Sequence, residues 1–99
     1  MDALALLADP VRRQVVELLS LGERDAGSIA AQFPGSRPAI SRHLRLLREG
    51  GVVQVRAVGT RRVYSLRRDA LEEMEAWLAQ RLDALDTELR RGQRARRDR

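Results

Sequence analysis

Several residue types that carry chemistry are missing or rare in this chain of 99 residues. It contains no cysteine, which excludes disulfides, thiolate metal sites and a cysteine nucleophile. Lysine is also absent, so all 19 basic residues are arginine. Histidine occurs once, as His43, and the only aromatic residues are Phe33, Tyr64 and Trp77. An enzyme is not expected, because the sequence holds no nucleophile–base pair, metal cluster or phosphate-binding glycine loop.

Long apolar runs are absent as well. The apolar start over residues 1–8 is short and carries Asp2 in place of basic residues, so neither a signal peptide nor a membrane span is expected. The lack of disulfides fits a reducing compartment, and we expect a cytoplasmic protein. A chain of this length forms one domain with a small core, which a dimer interface would help to stabilise.

The net charge of +5 is unevenly distributed along the chain. Residues 36–68 hold nine arginines and a single acid, Glu49, which gives +8. Residues 69–89 hold one arginine and seven acids, which gives −6, and residues 90–99 hold six arginines and one acid. Because arginine binds phosphate and guanine through paired hydrogen bonds, the basic middle of the chain predicts a polyanionic partner.

Capping residues and breakers divide the chain into five helices and one hairpin. Asp9-Pro10 is a helix start, with a capping carboxylate followed by proline at the first helical position. Asp25, Ser36 and Asp69 are predicted to cap three later helices, and Gly50-Gly51 ends one of them. The predicted elements are a short helix around Leu4 and Leu7, helices over 10–19, 26–33 and 37–49, strands over 52–58 and 61–66, and a long last helix.

The fourth predicted helix has one apolar and one cationic side. Ile40, Leu44 and Leu47 recur at helical spacing and are expected to be buried. The other side is predicted to carry Arg37, Ser41, Arg45 and Arg48, with Arg42 beside them. Two short helices joined by a tight turn are typical of the helix-turn-helix, whose second helix enters the major groove of DNA. We therefore predict a mainly α-helical winged helix-turn-helix with the order α-α-α-α-β-β-α.

Position along this helix predicts the role of each side chain. Arg37, Ser41 and Arg42 lie in its first two turns, the part that reaches base edges in this motif. Arg45 and Arg48 lie further along and are predicted to contact phosphate, which positions a protein without reading sequence.

The hairpin that follows is predicted to be the wing. Arg56, Arg61 and Arg62 flank its Gly59-Thr60 tip, from which they can reach phosphates or the minor groove. Charged residues on an edge strand also prevent aggregation, and this alternative stays open.

The last helix carries a continuous apolar stripe that extends past what one small core can cover. We predict that it pairs with the same helix of a second subunit, so that the last helix and the first, with Leu4 and Leu7, form a dimer interface. Trp77 lies just off this stripe, at the interface or at the core edge. Residues 90–99 are predicted to be a disordered tail outside a domain over 1–89, either binding DNA or merely solubilising. The residues of the stripe are Leu71, Met74, Leu78, Leu82, Leu85 and Leu89.

Three segments in this order resemble the ArsR/SmtB-type winged-helix repressors: residues 7–13, residues 36–53 and residues 61–66. The resemblance implies a homodimer formed through the first and last helices, bound to an inverted repeat of double-stranded DNA, and repression relieved by a signal. It implies DNA contacts at Arg37, Pro38, Ser41 and Arg42.

One departure from the family bears on sensing. Many members bind metals through cysteines at the start of the third helix, where this chain has Asp25 and Gly27, or through histidine ligands on the last helix, which has none. The chain is therefore more similar to the non-metal-sensing members, and no metal or cofactor is expected. His43 is read as a histidine packed at the core edge rather than a ligand. Whether a small-molecule inducer exists stays open, as does one alternative function, a winged-helix protein-interaction module without DNA binding.

Overall fold

The computed structural model describes the backbone of residues 2–97 and the side chains of residues 2–94. Met1, Asp98 and Arg99 lie outside the described residues. The described part is mostly helical, with three short strands. Its elements are α1 (Ala3–Leu6), α2 (Pro10–Leu19), β1 (Arg24–Asp25), α3 (Ala26–Ala31), α4 (Arg37–Glu49), β2 (Val53–Val58), β3 (Arg61–Leu66) and α5 (Arg68–Arg97).

Side-chain caps fix the starts of the helices where the sequence predicts them. The carboxylate of Asp9 accepts two backbone N–H bonds at the start of α2, at 2.8 and 3.1 Å. The carboxylate of Asp25 accepts the Ser28 N–H at 2.7 Å, and the hydroxyl of Ser36 accepts the Ala39 N–H at 3.3 Å. Each cap satisfies N–H groups that a helix start would otherwise leave unpaired.

A single apolar core joins α1, α2, α3, α4 and the sheet. The apolar row of α4 lies at its centre, between residues of α2 and α3 on one side and the strands on the other. The core residues whose exposed fraction is below 5 % are Leu6, Val15, Leu19, Ile29, Ile40, Leu44, Leu47, Val52 and Val53.

The sheet has the strand order β1-β3-β2 and is antiparallel throughout. The predicted hairpin is confirmed, with Val58 opposite Arg61 and a two-residue turn between them. Gly59 has φ 62°, a left-handed conformation that a glycine at the first turn position adopts without strain. The two-residue strand β1 was not predicted, because it exists only through its pairing with β3.

In α1 the fully buried residue is Leu6, whereas Leu4 and Leu7 are half-buried. Two local expectations need correction. The helix α3 ends at Ala31, before Phe33. Asp69 does not cap α5 but lies inside its first turn, where its carboxylate binds the Arg67 guanidinium at 2.8 Å.

The last helix is longer than the sequence predicts. It runs for 30 residues to Arg97, so residues 90–97 are helical in place of the predicted disordered tail. Contacts within the helix help to hold its end, because Arg91 lies 3.7 Å from Glu88 and Arg90 donates to the Thr87 hydroxyl at 3.4 Å. Arginine and alanine are also good helix formers, and extending a formed helix costs far less than starting one.

Gly50 ends α4 at the point of closest approach to α1. A Cβ atom there would overlap the Leu6 Cδ1 methyl group and lie 3.3 Å from the Leu46 carbonyl oxygen. Leu6 is fully buried and therefore has no free space into which to move. Glycine is required at this position by packing, since its φ of −80° is accessible to any residue.

Gly50→Ala should lower the free energy of unfolding by about 1–3 kcal/mol, the usual cost of overpacking a core. Urea denaturation followed by circular dichroism, at one fixed protein concentration, measures this change. Gly35→Ala is the matched control, because nothing lies within 4 Å of a Cβ there. Equal stability of the two variants would contradict the packing role of Gly50.

Candidate nucleic-acid interface

The orientation of α4 about its own axis is set by its apolar row. Ile40, Leu44 and Leu47 are at most 4 % exposed, and they pack into the core. Because these residues recur every three or four positions, the remaining positions of the helix must face outward. The burial of three side chains thus decides which polar groups reach solvent.

All the residues of α4 that are predicted to contact DNA are exposed. Arg37 lies towards α3, where its Nη2 would be 3.3 Å from a Cβ on Gly27. Arg37 and Ser41 line one groove between α3 and α4. The exposed set on this helix is Arg37, Pro38, Ser41, Arg42, Arg45 and Arg48.

The arginines of α4 are almost free of intramolecular acids. Arg45 lies 4.0 Å from Glu49, and both side chains are more than 60 % exposed, so this pair is weak. Among the described side chains, Arg37, Arg42 and Arg48 form no ion pair. Their guanidinium groups are available to an external anion.

A hydrogen-bonded arginine braces the inner side of α4. The Arg12 Nε donates to the Leu6 carbonyl oxygen at 2.6 Å, and its Nη1 lies 3.3 Å from His43 Nδ1. Since a guanidinium group only donates, the Nδ1 atom of His43 is the acceptor in this contact. Half-buried His43 therefore packs at the core edge, as predicted, and links α4 to α1 and α2.

Two of the three wing arginines are paired with acids of the same chain. Arg56 donates from both Nη atoms to the Glu23 carboxylate, at 2.5 and 2.7 Å, and this hydrogen bonding lowers the pKa of Glu23. Arg61 lies 3.5 Å from Asp25. The pKa of Asp25 is lowered mainly by the N–H of Ser28 and to a smaller extent by Arg61.

Strand register explains this division of the wing. Val63 pairs with Arg56 on one side and with Asp25 on the other, so these three residues lie on one face of the sheet. Side chains alternate between faces along a strand, which puts Arg61 on the same face and Arg62 on the opposite one. Glu23 precedes β1 and meets Arg56 through its two hydrogen bonds. Arg62 forms no ion pair with any residue whose side chain is described.

The wing and α4 meet at the start of α3. Gly27 lines the groove that holds Arg37 and Ser41, and it also lines the groove that holds Thr60, Arg61 and Arg62. Ala26 lines both grooves as well, so the two grooves adjoin at the start of α3. Arg37 and Ser41 of the helix thus lie next to Arg61 and Arg62 of the wing, and Gly27 and Thr60 were not predicted to take part.

The sequence analysis also missed the acids of this surface. Glu23 and Asp25 are two positions apart, the spacing that puts side chains on one face of a strand. That spacing signals a short extended segment, but its pairing partner β3 lies almost 40 positions further along and cannot be read locally.

The predicted dimer residues divide into two groups. Met74 is buried within the single chain, at 8 % exposure, and Leu7 packs against the core. Leu71 is 36 % exposed, and beyond Met74 the stripe is open: Leu78, Leu82, Leu85 and Leu89 are 51–66 % exposed. Trp77 is 46 % exposed, and the Arg81 guanidinium lies 4.8 Å from the centre of its ring.

Two further features bear on the kind of site. Within the described residues, no group of three or more histidine, aspartate or glutamate side chains could hold a metal ion. None of the described helices combines the length and the apolarity needed to cross a membrane.

Comparison with known proteins gives consistent matches. The family described as bacterial regulatory protein, arsR family, matches residues 9–55. The transcriptional repressor SdpR of Bacillus subtilis is 34 % identical over 83 residues, which cover 84 % of this chain and 92 % of that protein. The HTH-type transcriptional regulator Rv2034 of Mycobacterium tuberculosis is 48 % identical over 60 residues, which cover 61 % of this chain and 56 % of that protein.

A solved structure with this fold is the homodimeric winged helix-turn-helix DNA-binding domain of a possible ArsR-family transcriptional regulator from Mycobacterium bovis. It is 30 % identical to this chain, and the superposition has a TM-score of 0.66 and covers 82 % of this chain and 75 % of that one.

Proposed function

The chain belongs to the ArsR family of bacterial regulatory proteins, and we propose that it is a homodimeric repressor that binds an inverted repeat in double-stranded DNA. DNA-binding transcriptional regulation is the function of this family. The observation that carries the proposal for this chain is the set of exposed arginines on α4, of which only Arg45 approaches an acid among the described side chains, beside a hairpin with three further arginines.

The helix α4 is the recognition helix of this proposal. Its exposed face fits the major groove, which admits an α-helix and distinguishes all four base pairs. Arg42 and Ser41 lie in the first two turns and read base edges, beside Arg37 and Pro38. Arg45 and Arg48 bind phosphates and set the position of the helix.

The dimer interface of the proposal is formed by α1 and α5. Four leucines of the stripe are more than half exposed, and exposed apolar rows of this kind mark interfaces. A two-fold axis would present two recognition helices to successive major grooves, so the operator would be palindromic. The M. bovis domain, which is named as homodimeric, supports this assembly.

We assign this chain to the members of the family that do not sense metals. The start of α3 carries Asp25 and Gly27, and Asp25 is already engaged in the helix cap and with Arg61. The proposal includes no cofactor, and it places the protein in the cytoplasm, with the DNA that it binds.

Selection of bound sites from random duplex DNA by the purified chain tests the proposal. A palindromic motif with half-sites about one helical turn apart is the expected result. Enrichment of no motif would contradict sequence-specific repression, and a single half-site would contradict the two-fold symmetry.

Arg42→Ala should weaken binding to the selected site by about 1–3 kcal/mol and relax the preference at one base pair. Arg45→Ala is the comparison variant, because loss of a phosphate contact weakens binding to operator and random DNA alike. Titrations with the operator duplex and with random duplex DNA measure the ratio of the two affinities. If Arg42→Ala leaves this ratio unchanged, Arg42 does not read a base.

Leu82→Glu should produce monomers, since it puts a charge at the centre of the stripe. Sedimentation equilibrium measures the molecular mass. Leu21→Glu is the matched control, because Leu21 is 79 % exposed but lies outside α1 and α5. A Leu82→Glu variant that sediments as a dimer would contradict the proposed interface.

A further inference from the structure

Among the described side chains, the acids on the outer face of the wing make the closest ion pairs with the cationic surface. Glu23 holds Arg56 through two short hydrogen bonds, and Asp25 lies 3.5 Å from Arg61. The Glu23 carboxylate occupies the paired donors of Arg56 that a phosphate would use, whereas Asp25 approaches Arg61 through a single contact. The arginines of α4 have no comparable partner among the described side chains, apart from the 4.0 Å approach of Glu49 to Arg45.

We propose that Glu23 and Asp25 act as intramolecular substitutes for DNA phosphates and limit the affinity that the wing adds to binding. This inference rests on the proposed function, because it needs a DNA backbone that reaches the wing. In this inference the two acidic residues set how tightly the protein binds any DNA. They do not affect which base sequence α4 recognises.

Exchange is feasible because the pairs lie at the surface. The Arg56 and Glu23 side chains are 59 % and 45 % exposed, so water and ions reach both groups. Exposed ion pairs are weak in salt solution and open easily. A phosphate that approaches the wing can therefore take Arg56 from Glu23, but the gain is smaller than for an arginine without a partner.

Salt dependence distinguishes a paired from an unpaired arginine. Each new contact between an arginine and a phosphate releases counterions and steepens the plot of log affinity against log salt by about 0.9. An arginine already neutralised by a carboxylate contributes less to this slope. Removal of the carboxylate charge should therefore make the slope steeper, because the arginine then contributes in full.

Glu23→Gln should raise the affinity for random duplex DNA about fivefold at 0.15 M salt, and the gain should vanish towards 1 M salt. Asp25→Asn should act similarly through Arg61, because asparagine caps a helix as well as aspartate does and α3 is kept intact. Fluorescence anisotropy across a salt series measures both the affinity and the slope.

Asp83→Asn is the matched control for charge. It makes the same change from carboxylate to amide, at an exposed position of α5 that forms no ion pair among the described side chains. The gain from Glu23→Gln should exceed that of the control, and it should fall to the control level when Arg56→Gln is present in the same chain. Circular dichroism of each variant confirms that the fold is kept.

Two results would overturn the inference. Equal affinities of Glu23→Gln and Asp83→Asn would mean that the Arg56 pair only braces the wing. If Glu23→Gln still raises the affinity for DNA when Arg56→Gln is present, Glu23 acts through the overall electrostatic potential of the protein and not through Arg56. Failure of the unchanged chain to bind duplex DNA is a separate outcome that would overturn the proposed function as well.

Discussion

The burial of the apolar row of α4 is the constraint on which the rest of the molecule depends. Ile40, Leu44 and Leu47 are held by α2, α3 and the strands, and each of these side chains contributes on the order of 1.5–3 kcal/mol when it is removed from water. Rotation of the helix by one residue in one direction would replace them with Ser41, Arg45 and Arg48, whose polar groups the core cannot accommodate. The outward direction of Ser41, Arg42 and Arg45 is therefore a consequence of core packing and needs no separate device.

The two ends of α4 are each fixed by a single residue. The hydroxyl of Ser36 starts the helix, and Gly50 allows its last turn to lie against Leu6. Gly51, with φ 75°, then reverses the chain, so that β2 begins beside the helix that it supports. The wing is thereby tied to the end of α4.

Local signals explain which parts of the fold could be predicted from the sequence. The helix over 37–49 and the strands of the hairpin are confirmed because caps, glycines and apolar spacing mark them within a few residues. The strand β1 escaped prediction because its two residues are extended only by pairing with β3. The same limit applies to the site: the arginines could be named from the sequence, but the acids facing Arg56 and Arg61 become their neighbours only through the sheet.

The length and continuity of α5 give the proposed dimer its geometry. Exposure along the stripe rises from 8 % at Met74 to 66 % at Leu89, because the helix leaves the core of its own chain after about two turns. At 1.5 Å per residue, its 30 residues span about 45 Å, more than one helical turn of DNA. A flexible tail could bring two subunits together but could not fix their separation. A continuous helix can, because a seam formed along it holds both recognition helices at one distance and one angle, as an inverted repeat requires.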